Sequence, residues 1–420
     1  MTITIHRGTH QIGGCVTEYK QDGWRLFVDY GEELAGGPKS GVLKVAGLTH
    51  GDLSKSALFI THYHGDHIGC ITQLPAELPI YMGEVGCQIQ RVVSNYMKSK
   101  SPVHQAMLER LEHVRTFKET ERLSFGPFQI LPLTMDHSAF DAYAFKISAG
   151  GMSVFHTGDF RLHGFRSGKY EKMLQTFVGK VDYVVCEGTN VSRPDASSKT
   201  ERALQQDFET LFRENKGCVV YLSSTNIDRL FSLYHAALRA GRRFYVDEYQ
   251  KYVMDAVVNS RSIWTRSPLY QYDGFKPEVL CYHKYKKNRF FVADRFKYAL
   301  AKYGYVLIAR PGERFDDLLA QIPVDKKVLS MWRGYLREDS EAYNENLARA
   351  LEEDYEYLHT SGHCDMQELP KVFAILRPSA IIPIHTDHPA AFERLFGSEW
   401  PVVCLHDGET FLPEKLLIRT

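Results

Sequence analysis

The stretch that decides how this chain is read is Thr61–Cys70, "THYHGDHIGC", which follows directly on the apolar run Ala57–Ile60. His62 and His64 are two residues apart, so on extended backbone they point to one side and can reach a single ion. Asp66 and His67 lie just beyond, where a turn can aim them at a second ion. Neutral imidazoles with a few carboxylates suit zinc, and added oxygen ligands also admit manganese. A surface turn that merely contains histidines shows the same spacing, so further ligands must come from elsewhere. His137 in "LTMDHS", Asp159 in "VFHTGDF" and His385 in "AIIPIHT" each close a strand-like run. A carboxylate such as Asp159 can be shared by two ions, and a pair roughly 3.5–4 Å apart clamps the attacking and leaving oxygens of a displacement. The cluster therefore reads as half of a centre for two divalent cations, zinc or manganese.

Composition bounds the rest. The chain has 420 residues, 51 basic against 51 acidic and 44% hydrophobic, a globular composition long enough for two cored domains. Balanced charge gives no global sign of nucleic acid, yet a nuclease working in a cleft needs only local positive charge. The eight cysteines are scattered without a C-x-x-C pair. That pattern, with no signal-peptide core and no run of about 18 apolar residues, leads to the expectation of a cytoplasmic protein without a membrane span.

Along the chain, "TITIH", "CVTEYK" and "RLFVDYG" alternate like strands, with "QDG" as a hairpin turn. Helical periodicity appears in "EVGCQIQRVVSNYMKSK" and "VHQAMLERLEHV", then strand signals return up to "VDYVVCEGTN". From about Thr200 the pattern changes. "TERALQQDFETLFRENKG" predicts an amphipathic helix capped by Thr200 and ended by Gly217, and strand–helix–strand units follow to about Asp354. Beyond that, "YEYLHTSGH", "AIIPIHT" and "PVVCLHDGE" look like strands again. The expected organisation is an α/β domain over 1–199 that resumes over 355–420, with a second α/β domain of parallel-sheet type, 200–354, inserted into it.

At this point a family enters. "THYHGDH" resembles the H-x-H-x-D-H signature of the metallo-β-lactamase fold, a four-layer αββα architecture. "DH" (Asp136–His137), "TGDF" (Thr157–Phe160) and "IHT" (Ile384–Thr386) follow in the expected order. By that resemblance His62, His64 and His137 hold one ion, Asp66, His67 and His385 the other, and Asp159 bridges them. "FVDYG" (Phe27–Gly31) looks like the family's early strand ending in an Asp beside the site. The insertion resembles the β-CASP domain of the nucleic-acid-cutting branch, with Glu187 in "CEGTN", His363 in "TSGH" and His385 as its further motifs. "SSTNIDRL" and "SMWRGY" are similar to segments of RNase J-like proteins, which makes Ser224, Asn226 and Trp332 candidate substrate contacts. The chain reaches Thr420 soon after "LHDGETFLPEKLLIRT", so the resemblance is to an RNase J-like protein without the additional C-terminal domain.

The resemblance implies metal-dependent hydrolysis of single-stranded RNA, endonucleolytic or from the 5′ end. Asp66 also orients the attacking water, His363 serves as general acid, and Glu187 fixes its tautomer. Arg161 and His163, just after Asp159, are candidates to meet a phosphate, as is Ser361 beside the "SGH" turn. Basic residues interleaved with aromatics over Tyr282–Lys302 read either as a nucleic-acid surface or as a solvated helix face over a buried aromatic stripe. The competing readings are a DNA-directed nuclease of the same fold, a hydrolase of small esters or thioesters, and a non-catalytic nuclease-like scaffold. Besides that missing domain, the chain departs from the RNase J-like pattern in a second respect. Asp365 stands where a second serine of a 5′-phosphate pocket is expected, and a carboxylate there repels phosphate.

Overall fold

The structure is a computed structural model that describes residues 1–34, 41–260, 262–265, 274–280, 282–283, 289–290, 292–352 and 354–413. Much of the basic and aromatic stretch around Lys284–Lys287, with Phe291, lies outside the described residues. The chain divides into two compact units. One comprises 1–162, 166–197 and 362–420; the other comprises 163–165 and 198–361.

The first unit is a sandwich of two sheets. The seven-stranded sheet runs in the order Glu409–Phe411, Thr2–Arg7, Val16–Gln21, Trp24–Val28, Ser56–Ile60, Ile80–Gly83 and Arg115–Phe117. Its first hairpin turns on Asp22 and Gly23, both at positive φ, which is the backbone a two-residue turn between twisted strands requires. The six-stranded sheet runs Ala380–Ile384, Tyr183–Glu187, Met152–His156, Ala142–Ala149, Phe128–Met135 and Leu123–Phe125. Between the sheets lies a core that includes Ile5, Leu26, Phe59, Phe117, Phe145, Val154, Val185 and Ile382. The outer face of the second sheet is covered by helices Leu369–Leu376 and Pro389–Phe396 through Phe373, Leu376, Phe392 and Phe396. Helices Glu84–Met97 and Pro102–Glu112 pair with each other, and the former also packs on strand Ile80–Gly83. This is the four-layer αββα arrangement.

In the second unit six strands form a wholly parallel sheet, ordered Glu278–Leu280, Arg243–Asp247, Tyr305–Ala309, Gly217–Tyr221, Lys326–Leu329 and Glu356–Tyr357. Thr200 caps helix Glu201–Glu214, its side chain accepting from the Ala203 N–H. Two expectations change here. The helix ends at Asn215, and Gly217 opens the next strand instead of closing the helix. Glu356–Tyr357 pairs with Lys326–Leu329, so this segment extends the parallel sheet of the second unit and does not rejoin the first. "PVVCLHDGE" forms only an isolated bridge, Val402 to Ile381, before strand Glu409–Phe411. Of the described aromatics near the basic stretch, Phe296 packs on the core, whereas Tyr298 and Tyr303 are exposed with Lys302 over both rings. Among the described residues no helix is long and apolar enough to cross a membrane.

Candidate metal centre

Every predicted ligand sits at or just past the end of a strand of the first unit. Strand Ser56–Ile60 is buried throughout and stops at Thr61; His62 and His64 follow in a bent connection, His64 as the N-cap of the single helical turn Gly65–Ile68 that carries Asp66 and His67. That turn rests against Gly31, where a Cβ would lie 1.7 Å from the Asp66 carbonyl oxygen, so only glycine allows the approach. His137 follows strand Phe128–Met135, Asp159 follows Met152–His156, and His385 follows Ala380–Ile384. Asp29 and His385 adopt left-handed backbone (φ 61° and 51°), a strained conformation for side chains with a Cβ that is typical of functional sites.

The side chains converge on one oxygen. Asp159 Oδ2 lies 3.2 Å from His67 Nε2, 3.6 Å from His385 Nε2, and 4.0 Å from Nε2 of both His62 and His137. His64 Nδ1 stands 3.0 Å from His62 Nε2 and 3.2 Å from His137 Nε2. Two ligands on one tetrahedral ion with bonds near 2.0–2.1 Å are separated by roughly 3.3 Å, so these spacings are those of a cation's coordination shell. Among the described residues, the groups whose ligand atoms all lie within 4.8 Å of one another include both predicted sets, His62, His64 and His137, and Asp66, His67, Asp159 and His385; His363 joins two more, with His137 and Asp159 and with Glu187 and His385.

The ring nitrogens facing away from this point are engaged. His67 Nδ1 meets Asp29 Oδ2 at 2.8 Å, and His137 Nδ1 donates to the Gly362 carbonyl at 2.6 Å. His62 Nδ1 lies 3.0 Å from Thr61 Oγ1, and His385 Nδ1 lies 2.8 Å from Thr189 Oγ1. Such outer partners fix the tautomer and leave the inner nitrogen for a metal. Asp29 also accepts from Thr61 N–H and Thr61 Oγ1, at 2.7 and 2.8 Å. Arg166, buried, donates to the carbonyls of Met135, His137, Ala139 and Phe140, holding the loop that carries His137.

Electrostatics favour the ligand forms. Burial, aided by neighbouring imidazoles, holds His62 and His137 well below the usual histidine range; burial is also the main force drawing His64 down to about 4. Burial opposes charge on Asp159, yet His385 and His67 keep its carboxyl well below normal. His67 is the exception: against burial, Asp159, Asp66 and Asp29 push it well up. A cation at that position must displace its proton, as metal binding by imidazole does in general.

Beside the ligands, His363 Nδ1 lies 3.1 and 3.2 Å from the two oxygens of Glu187. Glu187 is itself fixed by the Phe160 and Thr189 N–H groups at 3.0 and 3.3 Å. Burial works against the charge on His363, but Glu187, with Asp159 and Asp66 behind it, raises it to about 9. His363 is 3.8 Å from Asp159 Oδ2.

The candidate substrate contacts fare differently. Arg161 is buried, with its Nε donating to Asp136 at 2.8 Å; it braces the His137 loop and does not offer a phosphate contact. The remaining candidates lie in the second unit. Asn226 caps helix Ile227–Arg239 by accepting from Arg229 N–H, a structural duty. His163 Nε2 donates to the Ser361 carbonyl at 2.9 Å. Ser224 is half-buried, with its carbonyl taken by Gln250, and Trp332 is exposed. Thr61, Thr189, Arg166 and the Gly362 carbonyl were not foreseen, because supporting residues and backbone oxygens carry no motif. Asp29 was foreseen only by resemblance.

Residues 352–404 match a family model described as the Zn-dependent metallo-hydrolase RNA specificity domain. The chain is 22% identical over 378 residues to Ribonuclease J of Sinorhizobium meliloti, covering 86% of this chain and 63% of that protein. To Ribonuclease J of Mycoplasma genitalium it is 22% identical over 399 residues, covering 90% and 66%. The chain is thus similar to RNase J proteins of the β-CASP branch of the metallo-β-lactamase fold. It spans less than two thirds of the length of each of those relatives. A crystal structure of a protein of unknown function from Enterococcus faecalis V583 shares the fold, with TM-score 0.71, 18% identity, and 98% and 99% of the two chains covered. With the match to the Zn-dependent metallo-hydrolase model and the convergent His/Asp cluster, the centre is a divalent-metal site.

Asp29→Asn keeps a residue that tolerates left-handed backbone and removes only the charge behind His67. It is expected to weaken metal affinity about 10–100-fold, read by chelator competition. Unchanged affinity would show that Asp29 does not support the centre.

Proposed function

We propose that this chain hydrolyses phosphodiester bonds of single-stranded RNA using two divalent cations, zinc or manganese. The observation that carries the reading is the convergence of two ligand groups on Asp159 beside the His363–Glu187 pair. His62, His64 and His137 would hold one ion, Asp66, His67 and His385 the other, with Asp159 shared. When bound, the ions would supply Lewis acidity and an activated water at neutral pH.

The chain's own residues account for the remainder. Asp66 is the carboxylate most open to solvent, with a side chain 14% exposed against 3% for Asp159, and so is the one to orient the attacking water. Glu187 holds His363 by Nδ1, which leaves Nε2 to carry a proton to the departing oxygen. The ribonuclease names of the relatives and the RNA-specificity family support RNA over DNA. Single strands fit because a phosphate must reach buried ligands. Metal-loaded protein on end-labelled RNA and DNA of one sequence tests this: the reading expects RNA cleavage, and cleavage of DNA alone would replace it with the DNA-directed alternative.

The end preference follows from Asp365. It is buried at the start of the short helix Met366–Glu368, and behind the larger effect of burial it helps push the Glu368 carboxyl up. At about 4 Å and an effective dielectric near 20, a carboxylate repels a phosphate charge by on the order of 4 kcal/mol. Little preference for 5′-monophosphorylated over 5′-hydroxyl RNA is expected, with substantial internal cleavage. Asp365→Ser should shift preference towards the monophosphate. Processive release of mononucleotides from 5′-monophosphate ends by the wild type would refute this.

A further inference from the structure

We propose that Trp332 forms a stacking platform for an unpaired nucleobase at the carboxyl end of the parallel sheet in the second unit; the inference deepens the nuclease reading and rests on it. In that sheet Gly217–Tyr221 and Lys326–Leu329 are parallel neighbours, with Tyr221 opposite Leu329. From Tyr221 the chain proceeds to Arg243–Asp247, on one side; from Leu329 it proceeds to Glu356–Tyr357, on the other. Open α/β sheets bind their ligands where such loops part, outside the carboxyl ends of the strands. The loops that part here carry Ser223–Thr225 and Met331–Gly334.

The posture of Trp332 is specific. It is 51% exposed. Its ring lies across Gly334, where a Cβ would stand 2.1, 2.2 and 2.3 Å from three indole atoms. Tyr335 meets it edge-on, with ring centroids 5.7 Å apart and planes at 79°. The indole is thus propped by glycine on one side and presented to water, without needing to reorganise before a base stacks on it. The next residue, Arg333, is exposed and holds its guanidinium 3.9 Å over the Tyr357 ring, adding positive charge to the same segment. Across the parting of the loops, Ser223 Oγ and Thr225 Oγ1 lie 3.3 Å apart and add hydroxyls. Exposed Arg337 and Glu338 on the same segment favour a single stacked base over an apolar protein surface.

The test uses metal-loaded protein and fluorescein-labelled, cleavage-resistant phosphorothioate strands, one bearing bases and one of equal length without them, with binding read by anisotropy. The wild type should prefer the base-bearing strand by about tenfold or more, the scale of one stacked base. Trp332→Ala should lose that preference, Trp332→Phe should keep part of it, and Gly334→Ala, which evicts the ring, should behave as Trp332→Ala does. Cleavage of ordinary RNA by the wild type is followed in parallel. If RNA is cleaved but Trp332→Ala keeps the full preference, or the wild type shows none, the platform is overturned and the nuclease reading stands. If the wild type cleaves no nucleic acid yet its preference depends on Trp332, the platform stands and the nuclease reading fails.

Discussion

Asp159→Asn is expected to abolish phosphodiester hydrolysis and to release bound metal. Nε2 atoms of His62, His67, His137 and His385 all lie within 4.0 Å of Asp159 Oδ2, whereas Asp66 Oδ2 approaches only His67 and His385 among them, at 3.7 and 3.3 Å. An amide keeps the shape and removes the charge that balances two cations, so the substitution separates electrostatics from packing. Metal content by native mass spectrometry and turnover on RNA should fall together. Near-normal turnover would remove Asp159 from the role of shared ligand.

His363→Ala is expected to lose roughly 10²–10⁴-fold in rate, the scale of a general acid, while keeping its metal. His385→Ala should instead lose an ion. The distinction rests on geometry: His385 Nε2 faces Asp66 and Asp159 at 3.3 and 3.6 Å, whereas His363 Nδ1 is held by Glu187 at 3.1 Å. Glu187→Gln carries a pH signature. His363 must be protonated to act, so the rate falls as pH rises through its pKa, and removing the carboxylate that raises it should move that fall towards acid. A metal centre emptied by His363→Ala would show that the two histidines have been given each other's roles.

How much of this was legible in the sequence depends on where each signal lives. The first four ligand candidates sit within one strand-to-helix turn, so spacing alone exposed them. His137, Asp159 and His385 were legible because each closes a hydrophobic run, and a sheet brings such ends to one edge. Arg161 was misjudged because closeness to Asp159 in sequence says nothing of direction; its side chain turns into the protein and spends its charge on Asp136. Asn226 looked like a contact, yet the same residue type at a helix start is a cap first. The Gly362 carbonyl that orients His137 comes from 225 residues away and has no side chain to announce it. The strand Glu356–Tyr357 carries too few residues for alternation to say which sheet it joins.

The central claim is that these converging side chains form a metal-dependent ribonuclease centre. Its most direct test is cleavage of end-labelled single-stranded RNA by the purified chain, stripped of metal by chelation and then titrated with zinc or manganese. The account predicts no cleavage by the stripped protein and recovery that saturates as the centre fills. Protein with metal fully bound and RNA left intact would contradict it.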